Sequence, residues 1–366
     1  MNNSSSVQVS EIETESDLKH WQSQWEMEFK NHSADISSSY SLLANYWKNS
    51  CKPEITLIIF HRLDRFVGAC ILSKNNRRFG PLSLVELELC NIYPTDGFFI
   101  ESDVVDIISS LLKHAKKKYG FFLWLRTERA SKTHAKLLIS GLKSLGTASA
   151  LSTTSSHTWR FDVGNGNFET YMSSLSRNSR QYLRKKTRQL ERLSGDLSFQ
   201  IVNPTSSTEN LSLFNEYADL EDSGWKGRNN SSLLKLKSDY SLYKNIVKDT
   251  FQIGHIRWCK LVSANNTIAM LLLFKKGSTV WVYKTTYDEK LQSYSPGGLI
   301  LTRLIEHYYS DKSVDAIDMV TNFSWVERWS PRAEPYSEIR LFPIAFWARV
   351  ASKMISIWKK EWEKIV

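Results

Sequence analysis

The stretch TVWVYKTTYDEKLQSYSPGG, residues 279–298, passes from a strand pattern at Thr279–Thr286 into a paired glycine. A helical pattern follows at once at Leu299–Tyr309, and Val314–Val320 reads as another strand. Upstream, Ile256–Val262, a turn at Ser263–Asn266 and Thr267–Phe274 make an apolar hairpin. Strand–strand–strand–loop–helix–strand is one α/β unit. Paired glycine between strand and helix lets a ligand come close to the backbone. The helix start adds unsatisfied N–H groups and partial positive charge, which suit phosphate. Ser295, Gly297, Gly298 and Leu299 are therefore the candidate anion seat, with an ordinary loop as the alternative reading.

The first half repeats this order. Glu54–Phe60, turn His61–Arg65 and Phe66–Leu72 form a hairpin, and Leu84–Cys90 is a third strand. The loop Asn91–Glu101 leads into Asp103–Lys118, where Val104, Ile107, Ile108, Leu111 and Leu112 have helical spacing behind a cap at Ser102 or Asp103. Phe121–Leu125 closes the unit as a strand. Asp96, Glu101 and Asp103 sit at this helix start, where the second copy is neutral. Carboxylates there repel a pyrophosphate, so the first copy reads as structural and the second as the ligand-binding one.

The expected organisation is a disordered lead at 1–10, a domain at 11–145, a Ser/Thr-rich linker at 146–158, a second domain at 159–340 and a basic amphipathic helix at 341–366. The 366 residues suffice for two cores, and the 13 Trp point to a folded protein. No apolar run is long enough to span a bilayer, and the first residues lack a signal-peptide pattern, so a cytoplasmic location is expected. Cys51, Cys70, Cys90 and Cys259 show neither disulfide-framework nor zinc spacing, and no metal is expected.

The net charge of +10 is concentrated in two helices. Between Arg177 and Arg192 stand Arg177, Arg180, Arg184, Lys185, Lys186, Arg188 and Arg192 against the single acid Glu191. The arginines are spaced by three and four, forming one stripe, while Leu175, Leu183, Leu190 and Leu193 lie elsewhere and are candidates for the core. Such a stripe is either a solvated face or a phosphate contact. In the last segment Arg349, Lys353, Lys360 and Lys364 oppose Trp347, Met354, Ile355, Trp358 and Trp362. That face pattern suits either docking on the domain or lying on anionic lipid, peripherally at the inner membrane surface.

Taken together, the Arg-rich helix, Gly224-Trp225-Lys226-Gly227, Ile268-Ala269, Tyr287-Asp288, Ser295-Pro296-Gly297, Asp318 and the Trp329 segment are ordered as in a known group. The chain resembles the GNAT-type acyltransferases of the CelD/BioF2-like family, distant relatives of the FemAB aminoacyl transferases. The resemblance covers Trp159–Leu341 well and the first half in outline. It implies two tandem GNAT-like units with mixed sheets flanked by helices, an α/β fold of layered type. It also implies acyl-CoA as cosubstrate, its pyrophosphate on the amides of Ser295–Leu299 with Arg180 and Arg184 as further phosphate contacts. Asp288 and Asp318 are then the candidate bases and Tyr283 and Tyr287 the candidate acids, each with a purely structural alternative. Trp225 and Lys226 are candidates for the acceptor wall.

The implied activity is transfer of an acyl group to an amine, an amino-sugar or a lipid-linked acceptor, in envelope or exopolysaccharide assembly. FemAB-like aminoacyl transfer is the alternative within enzymes, although the long helical hairpin of tRNA-using relatives is not apparent, and DNA is not an expected partner. An inactive scaffold at the membrane is the alternative outside them. The family's Gly and Tyr-Lys pair after the last-strand Asp are replaced by Thr321-Asn322-Phe323-Ser324-Trp325-Val326-Glu327.

Overall fold

The computed structural model describes residues 6–32, 36–50, 54–79, 82–90, 98–131, 138–139, 149–194 and 197–342. The chain divides into two compact units, one of residues 1–156 with 335–366 and one of His157–Glu334. Each holds a mixed sheet flanked by helices.

In the first unit, β1 (Gln8–Ile12), β2 (Ile55–Arg62), β3 (Arg65–Phe79) and β4 (Leu82–Cys90) pair antiparallel in sequence order, and the short β5 (Phe98–Phe99) pairs with β3. β4 then pairs parallel with β6 (Leu125–Ser131), across the expected crossover helix α3 (Val104–Tyr119). Helices α1 (Glu15–Asn31) and α2 (Tyr40–Asn49) precede β2. α1 starts at a capping box in which Thr14 and Asp17 satisfy each other's backbone N–H. Trp25 of α1 is fully buried, stacked on Phe66 at 5.3 Å, with its indole N–H donated to the Ser38 carbonyl.

Several expectations shift here. Residues 8–10, read as part of a disordered lead, belong to β1. The closing strand starts at Leu125, where the expected one ends, because Leu125 lies opposite Leu87 of β4. Asp103 occupies the N-cap of α3 but makes no cap bond. Its carboxylate is buried and takes Arg62 Nε at 2.7 Å, while Arg62 also pairs with Asp106. Asp103 and Asp106 together hold one guanidinium. Residues 91–97, including Asp96, lie outside the described residues.

The second unit repeats the pattern. β8 (Leu197–Val202), β9 (Ile256–Ser263), β10 (Asn266–Lys276) and β11 (Thr279–Tyr287) are antiparallel neighbours, and β11 pairs parallel with β12 (Ala316–Asp318). The crossover helix, α9 (Pro296–Asp311), lies between them in sequence. β10 is buried from Ile268 to Phe274 without interruption, which is why it reads as an apolar run rather than an alternation. α9 packs on β9 and β10, while α6 (Ser207–Asp222) packs on β10 and β11 and α8 (Lys237–Gln252) on β9. Each fully buried Leu, Ile or Phe in such a strand contributes about 1.5–3 kcal/mol of burial free energy.

Beyond the parallel pair each sheet gains an antiparallel strand from far away in sequence. In the first unit β13 (Arg332–Phe342) pairs with β6, with Leu341 opposite Leu125. In the second, β7 (Ser149–Asp162) pairs with β12, with Phe161 opposite Ile317. The Ser/Thr-rich stretch expected to be a linker is thus largely strand from Ser149 onward. Leu341 and Phe342, expected to begin the last helix, end β13 instead. The rest of that helix, residues 343–366, lies outside the described residues. No helix among the described residues is long and apolar enough to cross a membrane.

His255, ahead of β9, carries a pH signature. Burial first, then the neighbouring Lys276 and Arg257, lowers its imidazole from 6.5 to about 4. The folded state therefore resists a proton that the unfolded chain accepts. Its contribution to stability is complete above about 6.5 and is lost as pH falls toward 4. His255→Asn should flatten part of the fall in melting temperature between those two pH values, measured by calorimetry in matched buffers.

Candidate active site

The parallel pairing of β11 with β12 is three residues long, Thr279 with Ala316, Val280 with Ile317 and Trp281 with Asp318. Past that point β12's chain stays with β7, through Met319 N–H to the Trp159 carbonyl at 2.8 Å and Trp159 N–H to the Thr321 carbonyl at 3.1 Å. β11 instead continues to Tyr287 along β10. The ladder between the two strands ends there, and the stretch between Val282–Tyr287 and Met319–Thr321 is the candidate notch. β11 also carries a bulge here: Leu272 faces Lys284 and Leu273 faces Val282, so Tyr283 is the extra residue. Bulges re-aim a strand and occur beside active sites more often than elsewhere in sheets.

Asp318 anchors the divergence. It is 5% exposed and accepts the Thr158 hydroxyl at 2.9 Å and the Val320 N–H at 2.7 Å. Val320 is left-handed, with φ of 61°, so the carboxylate holds the turn that carries the chain away from β11. These two bonds make the carboxylate a clamp on the backbone. Tyr283 packs edge-on against Phe274, ring centroids 4.7 Å apart, within the sheet.

Tyr287 and Asp288 end β11 at the mouth of the notch. Asp288 starts the 3-10 turn Glu289–Tyr294, accepting the Lys290 N–H at 2.9 Å through one carboxylate oxygen. The Tyr287 phenol is held above the usual tyrosine range, by burial first and then by Glu289. Its ring lies against Gly297, where an added Cβ would stand 3.2 Å from Tyr287 Cδ1.

α9 begins with Pro296 at its first position, well suited to a proline, behind a left-handed Ser295 with φ of 57°. Ser295 makes no side-chain cap. Leu299 N–H reaches the Ser295 carbonyl at 3.0 Å, so the amides of Gly297 and Gly298 are the orphan donors of the first turn. The glycines also have a packing cause the sequence does not reveal. A Cβ on Gly298 would stand 2.9 Å from Trp329 Cη2 and 2.7 Å from Ser295 Oγ. Trp329 is 2% exposed; its indole N–H donates to Thr302 Oγ1 at 2.9 Å, and its carbonyl accepts the Tyr171 hydroxyl at 2.7 Å. Trp329 ends the 3-10 turn Ser324–Trp329, where Thr321–Glu327 departs from the family pattern. Phe323 and Trp325 of the same segment are exposed, Trp325 meeting Trp329 edge-on at 5.8 Å.

The basic helix α5 (Arg177–Ser194) follows the short α4 (Phe168–Ser174). Leu183 and Leu190 enter the core as expected, whereas Leu193 is exposed. Arg180 turns back onto the carbonyls of Ser173 and Leu175, closing the end of α4. Arg184 faces a cavity along a different side of α5 from Tyr182 and Lys186. Lys186, not singled out in the sequence, donates to the Ser293 carbonyl, two residues before Ser295. Arg328 stacks on Tyr182 with its guanidinium carbon 3.7 Å from the ring centroid. Lys186 is thus brought to the turn that precedes α9, and Lys186 and Arg328 both meet the Tyr182 ring.

The Gly-Trp-Lys-Gly segment forms the short α7 (Trp225–Arg228). Gly224 lets the Glu289 carboxylate reach the Trp225 N–H at 2.8 Å, and Glu289 also binds Arg228. At Gly227 a Cβ would stand 1.8 Å from the Asp222 carbonyl oxygen. Lys226 is committed to the buried Glu221 at 2.6 Å, while Trp225 is 52% exposed. The structure thus brings Trp225, Tyr287 and Asp288 to one end of β11 through Glu289, and turns Lys226 away into α6. No cluster fit to hold a metal occurs among the described residues.

Residues 177–334 match the family model for the acetyltransferase (GNAT) domain. The crystal structure of FemX is similar at 11% identity and a TM-score of 0.56, covering 90% of this chain and 96% of that one. A conserved protein of unknown function from Bacteroides thetaiotaomicron gives 9% and 0.53, covering 92% and 100%. The C-terminal domain of a lysylphosphatidylglycerol synthetase from Agrobacterium fabrum gives 11% and 0.52, covering 89% and 92%. No curated protein sequence matches the chain. At these identities the solved structures speak for the fold, and with the family match they define it as the GNAT-type acyltransferase fold.

Gly298→Ala should lower stability by about 1–3 kcal/mol, because Trp329 is pinned and cannot retreat from the new methyl. Trp329→Phe made together with Gly298→Ala should recover part of that loss, a coupling that denaturant unfolding of the four chains measures.

Proposed function

We propose that the second unit transfers an acyl group from an acyl-CoA thioester to an amine, at the notch between β11 and β12. The observation that carries this reading is the three-residue β11–β12 pairing, ending beside a bulge and opening toward the start of α9. The residues there fit a phosphorylated cosubstrate. Gly297 and Gly298 offer orphan amides, Ser295 does not cap them, and Lys186 stands at Ser293. Pyrophosphate would rest on those amides with Lys186 as its countercharge. Arg180 and Arg184 are replaced in this reading by Lys186 and Arg328.

Attack of an amine on a thioester needs a base for the ammonium proton, donors for the developing oxyanion and an acid for the departing thiolate. Asp288 has one carboxylate oxygen uncommitted to Lys290 N–H and is the proposed base, acting through water. Backbone donors at the Tyr283 bulge are the proposed oxyanion partners. Tyr287 is the proposed acid, since burial and Glu289 keep its phenol protonated. Asp318 shapes the notch without meeting substrate. Exposed Trp225, Phe323 and Trp325 suit a ring-bearing acceptor such as an amino-sugar, and the envelope or exopolysaccharide setting is retained as the acceptor class.

A second reading is aminoacyl transfer. It is supported by the likeness to FemX and to the lysylphosphatidylglycerol synthetase domain, which spans both units rather than the second alone. The donor separates the two readings: acetyl-CoA and longer acyl-CoAs against aminoacyl-tRNA in the same transfer assay.

Calorimetry with acetyl-CoA should give saturable binding weakened about tenfold by Lys186→Glu, the scale of one charge-assisted contact. Absence of binding by any acyl-CoA sinks the thioester reading. Tyr287→Phe should lower kcat about a hundredfold or more with little change in KM or melting temperature, since the hydroxyl has no structural hydrogen bond among the described residues. The alkaline limb of the wild-type kcat profile should lie above the ordinary tyrosine range and vanish in this variant.

A further inference from the structure

A cavity of about 290 Å³ lies in the second unit between α4, α5, α9 and the strands β8 and β9. Its wall is apolar, with Met172 of α4, Leu261 of β9 and Leu299 of α9 among the lining residues. Its rim carries charge of both signs. Arg184, Arg188 and Glu191 of α5 are exposed and line the cavity, and among the described residues none of the three takes part in an ion pair. Across from them Arg303 and Glu306 of α9 also line it, already paired with each other at 2.7 Å.

The spacing on α5 sets what fits. Arg184 and Arg188 are one turn apart on one face, and Glu191 follows about 4.5 Å further along the axis. A carboxylate can bridge the two guanidiniums while an ammonium on the adjacent carbon meets Glu191. A bare phosphate would instead sit among two carboxylates, Glu191 and Glu306, with no use for the apolar wall. A plain hydrocarbon chain would leave three charged groups unmatched. The volume falls just below the usual range for drug-sized ligands, about 300–1,000 Å³, and so suits one small molecule.

We propose that this cavity binds a free α-amino acid with an apolar side chain. Arg184 and Arg188 take the carboxylate, Glu191 takes the ammonium, and Met172, Leu261 and Leu299 receive the side chain. The proposal does not rest on the acyl-transfer reading: it needs no acyl donor and uses no proposed acid or base, and Leu299, whose amide belongs to the candidate anion seat, here contributes only its side chain.

Calorimetry of the full chain without any acyl donor tests it, using L-leucine, L-phenylalanine and two truncated leucines. These are 4-methylpentanoate, which lacks the ammonium, and isoamylamine, which lacks the carboxylate. Saturable binding of an amino acid is expected, weaker by about tenfold or more for each truncated compound, the scale of one charge-assisted hydrogen bond. Arg184→Ala with Arg188→Ala should weaken amino-acid binding similarly and leave melting temperature unchanged, since both side chains are exposed. Met172→Trp, which fills the cavity, should abolish it. No saturable binding of leucine or phenylalanine up to about 10 mM, a free energy weaker than about −3 kcal/mol, overturns the proposal. Equal binding of 4-methylpentanoate and leucine also overturns it, as does binding that the arginine double variant does not alter.

Discussion

The end of the β11–β12 pairing is held by one buried carboxylate. Asp318 takes the Thr158 hydroxyl and the Val320 amide, and Val320 turns left-handed. That turn keeps Met319–Thr321 on β7 while β11 runs on beside β10. A buried carboxylate is tolerated where hydrogen-bond donors such as these satisfy it. The β11–β12 ladder stops after three residue pairs, and the chain between the two strands enters a helix whose first amides carry no side-chain cap. Pairing, turn and helix start are parts of a single arrangement.

The order of elements was legible because it is written in periodicity. Strict apolar–polar alternation is absent from β10, yet its unbroken Ile268–Phe274 run still marks a strand covered on both faces. The α3 pattern, Val104 through Leu112, and the repeat of strand–strand–strand–loop–helix–strand in both halves emerged from spacing alone. Boundaries set by distant partners did not. β13 is a strand because β6 lies beside it, and β1 because β2 does; neither cause is local in sequence.

The site was legible in outline and not in detail for the same reason. Ser295-Pro296-Gly297-Gly298 signals a strand-to-helix turn, but only the folded chain shows that Tyr287 and Trp329 press on the two glycines. A stripe of arginines signals anion contact, yet α5 presents several faces to different neighbours. Arg180 is spent on carbonyls of α4, Arg184 looks into the cavity, and Lys186 is the residue of that helix seen to reach the turn before α9. Lys226 is a candidate for the acceptor wall in the sequence, but Glu221, five residues earlier and buried, pairs with it. Charge counts along a sequence do not distinguish such commitments.

The two units differ in how their sheets are completed, and this bears on synthesis. The second unit is continuous from His157 to Glu334, whereas the first recovers its outer strand, β13, only after the second has been made. A ribosome extending the chain from its N-terminus therefore produces the first unit with β6 as a bare edge, displaying unpaired backbone groups for the time it takes to add roughly two hundred residues, about 10–40 s. The later-made unit is the one able to close first. The edge of β6 left open in that interval is the kind of surface to which a chaperone, or another nascent chain, can bind.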